Sequence, residues 1–532
     1  MVIVLTLYVC YFSHLGAIGF VGPDEPRYAW IARDMARSGD WITPRLYGQP
    51  WFEKPPLLYW GGALFFKLLG EGHPEVAARL PSAICALLAT LALAWLAWRT
   101  HGRECALWLL LLLPASVGMI GFSHAAATDM PFAGMLTLAM VPAAAVLGLI
   151  RKDENTPILP HTPWRALLLF GFFLGLAVLA KGPAALILMG GTLFFWALAT
   201  KRWREALRLF RPASILAFCL TAFPWYAACA RRNPDFFRVF IIEHNVKRFL
   251  TPEFQHLEPF WYYLPVALLG LFPWFLLLIP VIRRLAASRE PVSLLFAISA
   301  LFTLGFFTVS QSKLPGYILP AVPAIGLLVA TTVPALLDRG RLRLIVVVSM
   351  LLTLPVAFLF AHQIYRSQSP AGSFHFAAPL RAAAVCLVVG VLAVVALGFL
   401  GRPAAAALAG QLTLVVSLFV SLAGGGGRMM DELLSSRPAA RSYTRSPAPE
   451  TSGQDGPFTY ELRRAYQYSL NFYFERELPV WNGDKSRAAV IFLSPRGSHL
   501  EAHCLEKPVL PAVSLCRWEP SLSGAGARRQ LQ

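Results

Sequence analysis

The sequence predicts an all-α polytopic membrane protein that carries a small α/β domain at its carboxyl end. Of its 532 residues, 56% are hydrophobic and 14% are charged, and the mean hydropathy is +0.56, whereas a soluble globular domain has about 25% charged residues. Long apolar segments recur along residues 1–423, while residues 424–532 are more polar and irregular. This composition excludes a disordered chain and a small disulfide-bonded scaffold.

About thirteen segments are long and apolar enough to be transmembrane helices, each of which needs about 20 residues. They are 1–20, 81–98, 104–121, 130–150, 166–180, 184–200, 212–230, 261–282, 292–310, 317–336, 343–361, 381–400 and 403–423. Lys181-Gly182-Pro183 separates two of them, which predicts a tight turn near a membrane surface. The first segment lacks a basic leading region and a small-residue cleavage site, so we expect an uncleaved anchor rather than a signal peptide.

Basic residues are distributed unequally among the loops. With a cytoplasmic amino terminus, the inner loops carry seventeen Lys and Arg residues and five acidic residues, whereas the first outer loop, 21–80, carries seven of each. Cytoplasmic loops are enriched in Lys and Arg, so much of the net charge of +18 is explained by the orientation of the chain in the membrane. We therefore expect no nucleic-acid partner. The carboxyl terminus then lies on the extracytoplasmic side.

Residues 424–532 predict a small α/β extracytoplasmic domain that follows the membrane domain, 1–423. They begin with four glycines and a Ser/Pro/Arg-rich stretch, and residues 488–493 predict a buried strand. Cys504 and Cys516 lie in this region and can form a disulfide in an oxidising compartment. The other six cysteines lie in apolar segments, and we expect them to be inert.

Ionisable and aromatic residues cluster at two places in the first outer loop. Asp24 and Glu25 precede a segment, 29–35, whose apolar residues have helical spacing, which predicts a short helix on the membrane surface. Glu53 and Lys54 stand between aromatic residues and just before two prolines. Most loop charges are simply solvated, but this combination, where the chain leaves and re-enters the membrane, favours a functional site.

These motifs resemble those of bacterial aminoarabinose lipid A transferases and their wider relatives, the protein O-mannosyltransferase-like (GT-C, families 39 and 83) glycosyltransferases. The matching stretches occur in order at 24–28, 38–46, 52–60, 128–129, 179–183, 243–249, 259–265 and 312–320. The resemblance implies a GT-C enzyme of the bacterial inner membrane. Such an enzyme transfers a pentose or hexose from a polyprenyl-phosphate donor to a lipid or glycan acceptor, for instance a lipid A phosphate. All the motifs fall on the outer side in the orientation that the Lys and Arg count gives independently.

The resemblance also implies roles for acidic residues. The catalytic aspartate of the family falls on Asp24, with the adjacent Glu25 as the alternative. Asp129 matches a second functional acid, and we also expect it to cap the helix that begins at Met130, since the two roles can coexist.

The cations of the motifs are candidates for holding the donor phosphate. Lys54 is the leading one, and Arg248, Lys181 and Lys313 are the others, with Tyr317 in the same motif as Lys313. Snorkelling to the membrane surface explains Lys181 and Lys313 equally well. The neighbouring Gly316 departs from the family pattern, in which a bulkier or hydroxylated residue is expected.

Glu53 and His244 match a metal pair of the aminoarabinose transferases. A carboxylate and an imidazole suit a divalent metal, with Zn²⁺ as the first choice. Two ligands do not complete a site, so the donor phosphate or water must fill the shell, and a lone histidine is more often a structural group.

Other aromatic residues of these motifs either line a lipid groove or form the interfacial aromatic belt, and the belt is favoured for most of them; they are Trp51, Tyr59, Trp60, Trp261, Tyr262 and Tyr263. The alternative function is a transporter or flippase of lipid-linked sugars. It predicts ionisable groups near the middle of the membrane and two related halves. The spans are nearly free of charge, which favours the enzyme, and the clustered acids, lysine and histidine argue against a mere scaffold.

Overall fold

The structure is a computed structural model that describes residues 1–150, 163–247, 258–338, 342–367, 378–445, 457–482, 489–493 and 513–518. It is mostly helical. The helices of its first half are α1 Val2–Tyr11, α2 Asp24–Ser38, α3 Leu57–Leu69, α4 Pro74–His101, α5 Arg103–Leu112, α6 Val117–Ser123, α7 Asp129–Val146, α8 Trp164–Lys181, α9 Ala184–Thr200, α10 Trp203–Leu207 and α11 Pro212–Arg232, followed by a π-helix, Arg238–Lys247. The second half contains α12 Tyr263–Gly270, α13 Leu278–Ala287, α14 Pro291–Val309, α15 Ala321–Asp338, α16 Leu342–Ser367, α17 Ala378–Phe399, α18 Pro403–Ser421, α19 Gly427–Leu434, α20 Arg437–Arg445 and α21 Arg464–Phe474.

Seven helices of the described residues are long and apolar enough to cross a membrane; they are α4, α7, α8, α11, α14, α17 and α18. Two bent pairs, α5 with α6 and α12 with Trp274–Ala287, raise the number to nine if each pair is one span. The chain is therefore an integral membrane protein. Each of the thirteen predicted segments has helix at its place, but several of these helices are short, so the number thirteen stays a prediction.

Helix α7 lies at the centre of the bundle. Nearly all of its residues are buried, on every side of the helix, and it packs against α4 and α8. A helix that is apolar all round belongs in a protein interior. Its first residue is Asp129, so the helix presents that carboxylate at one end of the bundle.

The predicted turn at Lys181-Gly182-Pro183 is confirmed. Helix α8 ends at Lys181 and α9 begins at Ala184. Gly182 has a φ of +81°, which a residue without a Cβ adopts freely. The turn leaves Lys181 at the end of α8.

The first outer loop folds into two helices and a small hairpin. Helix α2 contains the predicted segment 29–35 but begins at Asp24, where acidic residues stabilise the amino end of a helix. Strands β1 (Arg45–Leu46) and β2 (Gln49–Pro50) pair antiparallel before α3. The second acidic motif therefore lies between β2 and α3.

The carboxyl-terminal region combines helices α19–α21 with a three-stranded sheet. Strand β3 (Phe458–Tyr460) is parallel to β4 (Ala489–Leu493), and β4 is antiparallel to β5 (Ser514–Trp518). The predicted strand at 488–493 is confirmed, and its residues 491–493 are buried. Cys504 lies outside the described residues, so its disulfide with Cys516 stays a prediction, as does the division into two domains. Four of the other cysteines are buried free thiols; they are Cys10, Cys85, Cys105 and Cys229.

Ion pairs attach this region to the first outer loop. Arg437 of α20 pairs with Asp431 at 2.8 Å and with Glu75 of α4 at 3.1 Å, and all three side chains are buried. Arg437 also donates to the carbonyl oxygens of Gly16 and Ala17. Breaking one side of a buried pair leaves an uncompensated charge, so these contacts hold the carboxyl-terminal helices over the loop.

Candidate active site

Glu25 is buried in the first turn of α2, and both of its carboxylate oxygens are in use. Oε1 accepts from Arg79 Nε at 3.0 Å and from the Ala126 amide at 2.7 Å. Oε2 accepts from Arg79 Nη2 at 2.7 Å and from the Val21 amide at 2.8 Å. Glu25 therefore ties the start of α2 to α4 and to the turn that precedes Asp129. This geometry favours Asp24 over Glu25 as the reactive carboxylate.

Asp24 and Glu53 are joined by one guanidinium group. Arg27 donates from Nη2 to Asp24, from Nη1 to Glu53 Oε2 at 3.1 Å and from Nε to the Pro23 carbonyl at 2.8 Å. The side chains of Arg27 and Glu53 are 9% and 8% exposed, whereas that of Asp24 is 44% exposed. Asp24 is therefore the carboxylate of this cluster that a substrate can reach.

The charges of this cluster also affect their neighbours. Burial lowers the pKa of the Arg27 guanidinium, but the charges of Glu53 and Asp24 outweigh burial and hold the pKa above its ordinary value. Burial, together with the same two carboxylates, raises the pKa of Tyr28 well above its usual range. Arg27 is accordingly a permanent cation and Tyr28 a neutral phenol at physiological pH.

Lys54 lies beside the same cluster, with its Nζ 3.6 Å from Glu53 Oε1 and its side chain 12% exposed. Two buried donors of the motif, Trp51 Nε1 and Tyr59 Oη, have no hydrogen-bond partner within the described ranges. Tyr59 is completely buried, so its assignment to the aromatic belt is wrong. The belt assignment is also wrong for Tyr263, which is buried and donates to the Leu314 carbonyl at 3.2 Å.

A second charged cluster lies where α7 begins and α8 ends. Asp129 forms an ion pair with Lys181, and the Lys181 Nζ lies 4.5 Å from the centre of the Tyr317 ring. The predicted capping role of Asp129 is not observed, because the cap position is Thr128 and no side chain caps the helix. The Lys181 side chain is only 9% exposed, so it ends on Asp129 rather than at the membrane surface.

The 312–317 motif packs against this pair. A Cβ atom on Gly316 would lie 2.5 Å from Asp129 Cγ and 2.8 Å from the Phe122 ring, closer than real contacts. A side chain at position 316 would therefore collide with Asp129 in this chain. Lys313 is buried and donates to the Ser310 carbonyl at 2.9 Å, which is a contact within its own loop.

A group of packed apolar side chains connects the Asp24–Glu53 cluster with the Asp129–Lys181 cluster. Phe52, next to Glu53, belongs to the same buried apolar cluster as Leu179, which lies two residues before Lys181. Phe52 also contacts Phe236, and Phe236 stacks on Phe240 at 5.6 Å. Phe240 lies on the π-helix, Arg238–Lys247, so the first-loop motif, the end of α8 and this helix meet at one place.

His244 lies four residues after Phe240 on the same π-helix and is half-buried. Arg248 lies outside the described residues, so its role stays a prediction. The described part of the chain contains no group of three or more His, Cys, Asp or Glu residues that could hold a metal ion. Glu53 and His244 thus fit Zn²⁺ in ligand type but not in number, and Arg27 and Lys54 already pair with Glu53.

Three residues that contribute to the site were not predicted from the sequence; they are Arg27, Arg79 and Tyr468. Arg27 follows Asp24 by three residues on a helix, a spacing that pairs side chains and could have identified it. Arg79 and Tyr468 come from distant segments. The Tyr468 ring of α21 lies 5.3 Å from the Arg27 guanidinium, and no local pattern predicts that contact.

Comparisons with known proteins agree with this architecture. Residues 1–240 match the family model described as dolichyl-phosphate-mannose-protein mannosyltransferase. The undecaprenyl phosphate-alpha-4-amino-4-deoxy-L-arabinose arabinosyl transferase of Edwardsiella ictaluri is 33% identical over 311 residues, which is 58% of this chain and 54% of that protein. The protein of the same name from Pseudomonas aeruginosa is 34% identical over 324 residues, covering 60% and 56%.

The fold is shared with a solved structure over nearly the whole length. ArnT from Cupriavidus metallidurans in the apo state has a TM-score of 0.76 at 23% identity, with 98% of each chain covered. The same protein bound to undecaprenyl phosphate has a TM-score of 0.73 at 24% identity.

The sequence matches span only a little over half the length of these arabinosyl transferases, between 54% and 60%. The fold match extends over the remainder. The chain is thus similar to these arabinosyl transferases in sequence over part of its length, and it shares the fold of ArnT over nearly all of it.

Proposed function

We propose that this chain is a glycosyltransferase that moves a sugar from an undecaprenyl-phosphate carrier to an acceptor. The observation that carries the proposal is the half-exposed carboxylate of Asp24, held by a buried arginine next to Lys54. A reactive acid beside cations is what transfer from a lipid phosphate requires. The names of the relatives support 4-amino-4-deoxy-L-arabinose as the sugar, and a lipid A phosphate is the acceptor we propose.

In the proposed reaction, an acceptor oxygen attacks the anomeric carbon of the sugar. The bond between that carbon and the phosphate oxygen breaks, and undecaprenyl phosphate leaves with the electron pair. A hydroxyl acceptor gives its proton to Asp24, whereas an ionised phosphate acceptor has no proton to give. In the second case the Asp24 carboxylate stabilises the positive charge that develops on the sugar ring.

Cations supply the second requirement, which is stabilisation of the leaving phosphate. Lys54 adjoins the Asp24 cluster, because its Nζ atom lies 3.6 Å from Glu53 Oε1. Lys181 neutralises Asp129 and can turn one of its ammonium protons toward a phosphate oxygen, since ammonium has three donors. Lys313 is occupied within its own loop, so we propose that it shapes the loop that carries Tyr317.

We further propose that the protein lies in the bacterial inner membrane, with the site and the carboxyl terminus on the periplasmic side. The excess of Lys and Arg on alternate loops supports this orientation. Thirteen spans and a separate carboxyl-terminal α/β domain belong to the same proposal. Accessibility labelling of a single cysteine placed at Gly22 tests it, because only an outward-facing residue reacts with a membrane-impermeant reagent.

A divalent metal at Glu53 and His244 is also a proposal, and no step above depends on it. Zn²⁺ would lend positive charge near the donor phosphate when bound. Metal analysis of the purified protein, with and without a Glu53→Gln change, tests it. Stoichiometric zinc that disappears in the variant supports the site, and zinc-free active protein contradicts it.

Mass spectrometry of lipid A and envelope glycans from a deletion strain tests the function as a whole. We expect lipid A to lose a 4-amino-4-deoxypentose substituent that returns on complementation with the wild-type gene. Lipid A and glycans that are unchanged in the deletion strain contradict the proposal.

A further inference from the structure

Helix α21 lies over the charged cluster of the first outer loop. One of its faces presents Tyr468, Asn471 and Phe472, which have the i, i+3, i+4 spacing of a helix face. Asn471 donates to the Tyr47 hydroxyl at 3.1 Å, and the Phe472 carbonyl accepts from Arg33 at 3.2 Å. This face is therefore bound to the loop.

The opposite face of α21 points away from the loop. Tyr466, Leu470 and Phe474 pack in an apolar cluster with Phe492 of β4. The helix thus separates two tyrosines of similar partial burial, Tyr468 over the site and Tyr466 against the sheet. Tyr466 is therefore a matched control position for substitutions of Tyr468.

Tyr468 contacts the group that organises the site. The Arg27 guanidinium lies 5.3 Å from the centre of the Tyr468 ring and 5.3 Å from that of Trp51. An aromatic face attracts a desolvated guanidinium without accepting its hydrogen bonds. Every N–H bond of Arg27 thus stays available for Asp24, Glu53 and the Pro23 carbonyl.

The Tyr468 hydroxyl has a different partner. It accepts from Nη2 of Arg464 at 3.2 Å, and Arg464 is exposed at the start of the same helix. The contact with Arg27 therefore depends on the ring of Tyr468 rather than on its hydroxyl. A phenylalanine retains that contact and an alanine removes it.

We propose that Tyr468 is a positioning residue that holds Arg27 in its double ion pair, so that the carboxyl-terminal region completes the active site. This inference rests on the proposed glycosyl transfer. According to this inference, α21 affects the rate at which bound substrate reacts, and the effect passes through Arg27 and Asp24. Helix α21 itself does not contact the substrate.

Steady-state transfer by the purified full-length protein, measured per amount of monodisperse protein, tests the inference. We expect Tyr468→Ala to lower kcat about ten-fold, a size that a desolvated cation–π contact supports, with little change in KM for the undecaprenyl-phosphate sugar. Tyr468→Phe should recover most of that loss. The matched control Tyr466→Ala should leave kcat and KM near the wild-type values.

A double-variant cycle tests whether the effect passes through Arg27. In an Arg27→Lys background the planar guanidinium is absent, so adding Tyr468→Ala should change kcat by less than about two-fold. A full ten-fold loss in that background, or a change confined to KM, overturns the inference, as does a Tyr468→Ala variant that matches wild type. Absence of transfer by the wild-type protein would instead count against the proposed function itself.

Discussion

The Nη1 atom of Arg27 lies 3.1 Å from the Oε2 atom of Glu53, and both side chains are buried. Because a buried charge is costly unless it is paired, this contact keeps Arg27 in place independently of Asp24. Asp24 is thus free to serve as the exposed partner of the same guanidinium. The arrangement separates a structural carboxylate from a reactive one.

Asp24→Asn tests the reactive carboxylate. We expect transfer to fall about 100-fold or more, the range for loss of an acid–base group, while the protein still inserts and folds because Arg27 keeps Glu53. Transfer and thermal unfolding in detergent check the two halves of this expectation. Asp34→Asn on the same helix is the control and should keep transfer; full transfer by Asp24→Asn would show that the assignment is wrong.

Glu25→Gln should act on stability. The change leaves Arg79 buried without its charge partner and removes one acceptor, which costs about 3–5 kcal/mol for a broken buried pair. We expect a lower melting temperature and less protein in the membrane. Glu71→Gln, at an exposed pair with Arg37, is the control and should cost under about 1 kcal/mol. A stable but inactive Glu25→Gln variant would place Glu25 in the chemistry instead.

Gly316→Ala tests the packing of the 312–317 motif on Asp129. The added Cβ has no room, and overpacking of this kind costs about 1–3 kcal/mol. We expect both the melting temperature and transfer to fall, because Asp129 and Lys181 are displaced. Gly305→Ala on α14, where the Cβ meets nothing within 4 Å, should be tolerated. Equal behaviour of the two variants would contradict the close approach.

Lys181→Met separates the structural role of this lysine from a role toward phosphate. The single change leaves Asp129 without its ion-pair partner, so we expect reduced stability. The double variant Lys181→Met with Asp129→Asn removes both charges and should recover much of the folded protein yet remain inactive. Thermal unfolding and transfer measure the two effects. Recovery of transfer in the double variant would limit the pair to a structural role.

Much of the architecture could be predicted from local patterns. The apolar segments located the helices, since a membrane span must satisfy its backbone hydrogen bonds internally. Lys181-Gly182-Pro183 predicted its turn because Gly and Pro both oppose helix continuation. The spacing of residues 29–35 predicted the helix but not its start at Asp24, where the acidic residues suit the positive end of the helix.

The contacts that decide roles could not be predicted in this way. Asp24 and Glu25 are adjacent and chemically alike, and tertiary contacts separate their functions, above all that of Glu25 with Arg79, 54 residues along the chain. Tyr468 reaches Arg27 through the docking of α21, which depends on contacts between segments about 400 residues apart, such as the Tyr473–Glu75 hydrogen bond and the Arg33–Glu475 ion pair. Such contacts arise from tertiary packing, so no periodicity or motif in the local sequence predicts them.

The most direct measurement follows a labelled sugar. Purified protein in lipid vesicles is given undecaprenyl phosphate carrying labelled 4-amino-4-deoxy-L-arabinose, with lipid A as the acceptor. We expect label to appear on lipid A with the wild-type protein and to stay on the carrier with Asp24→Asn. Label that only moves between leaflets, or transfer that is indifferent to Asp24, would contradict the account.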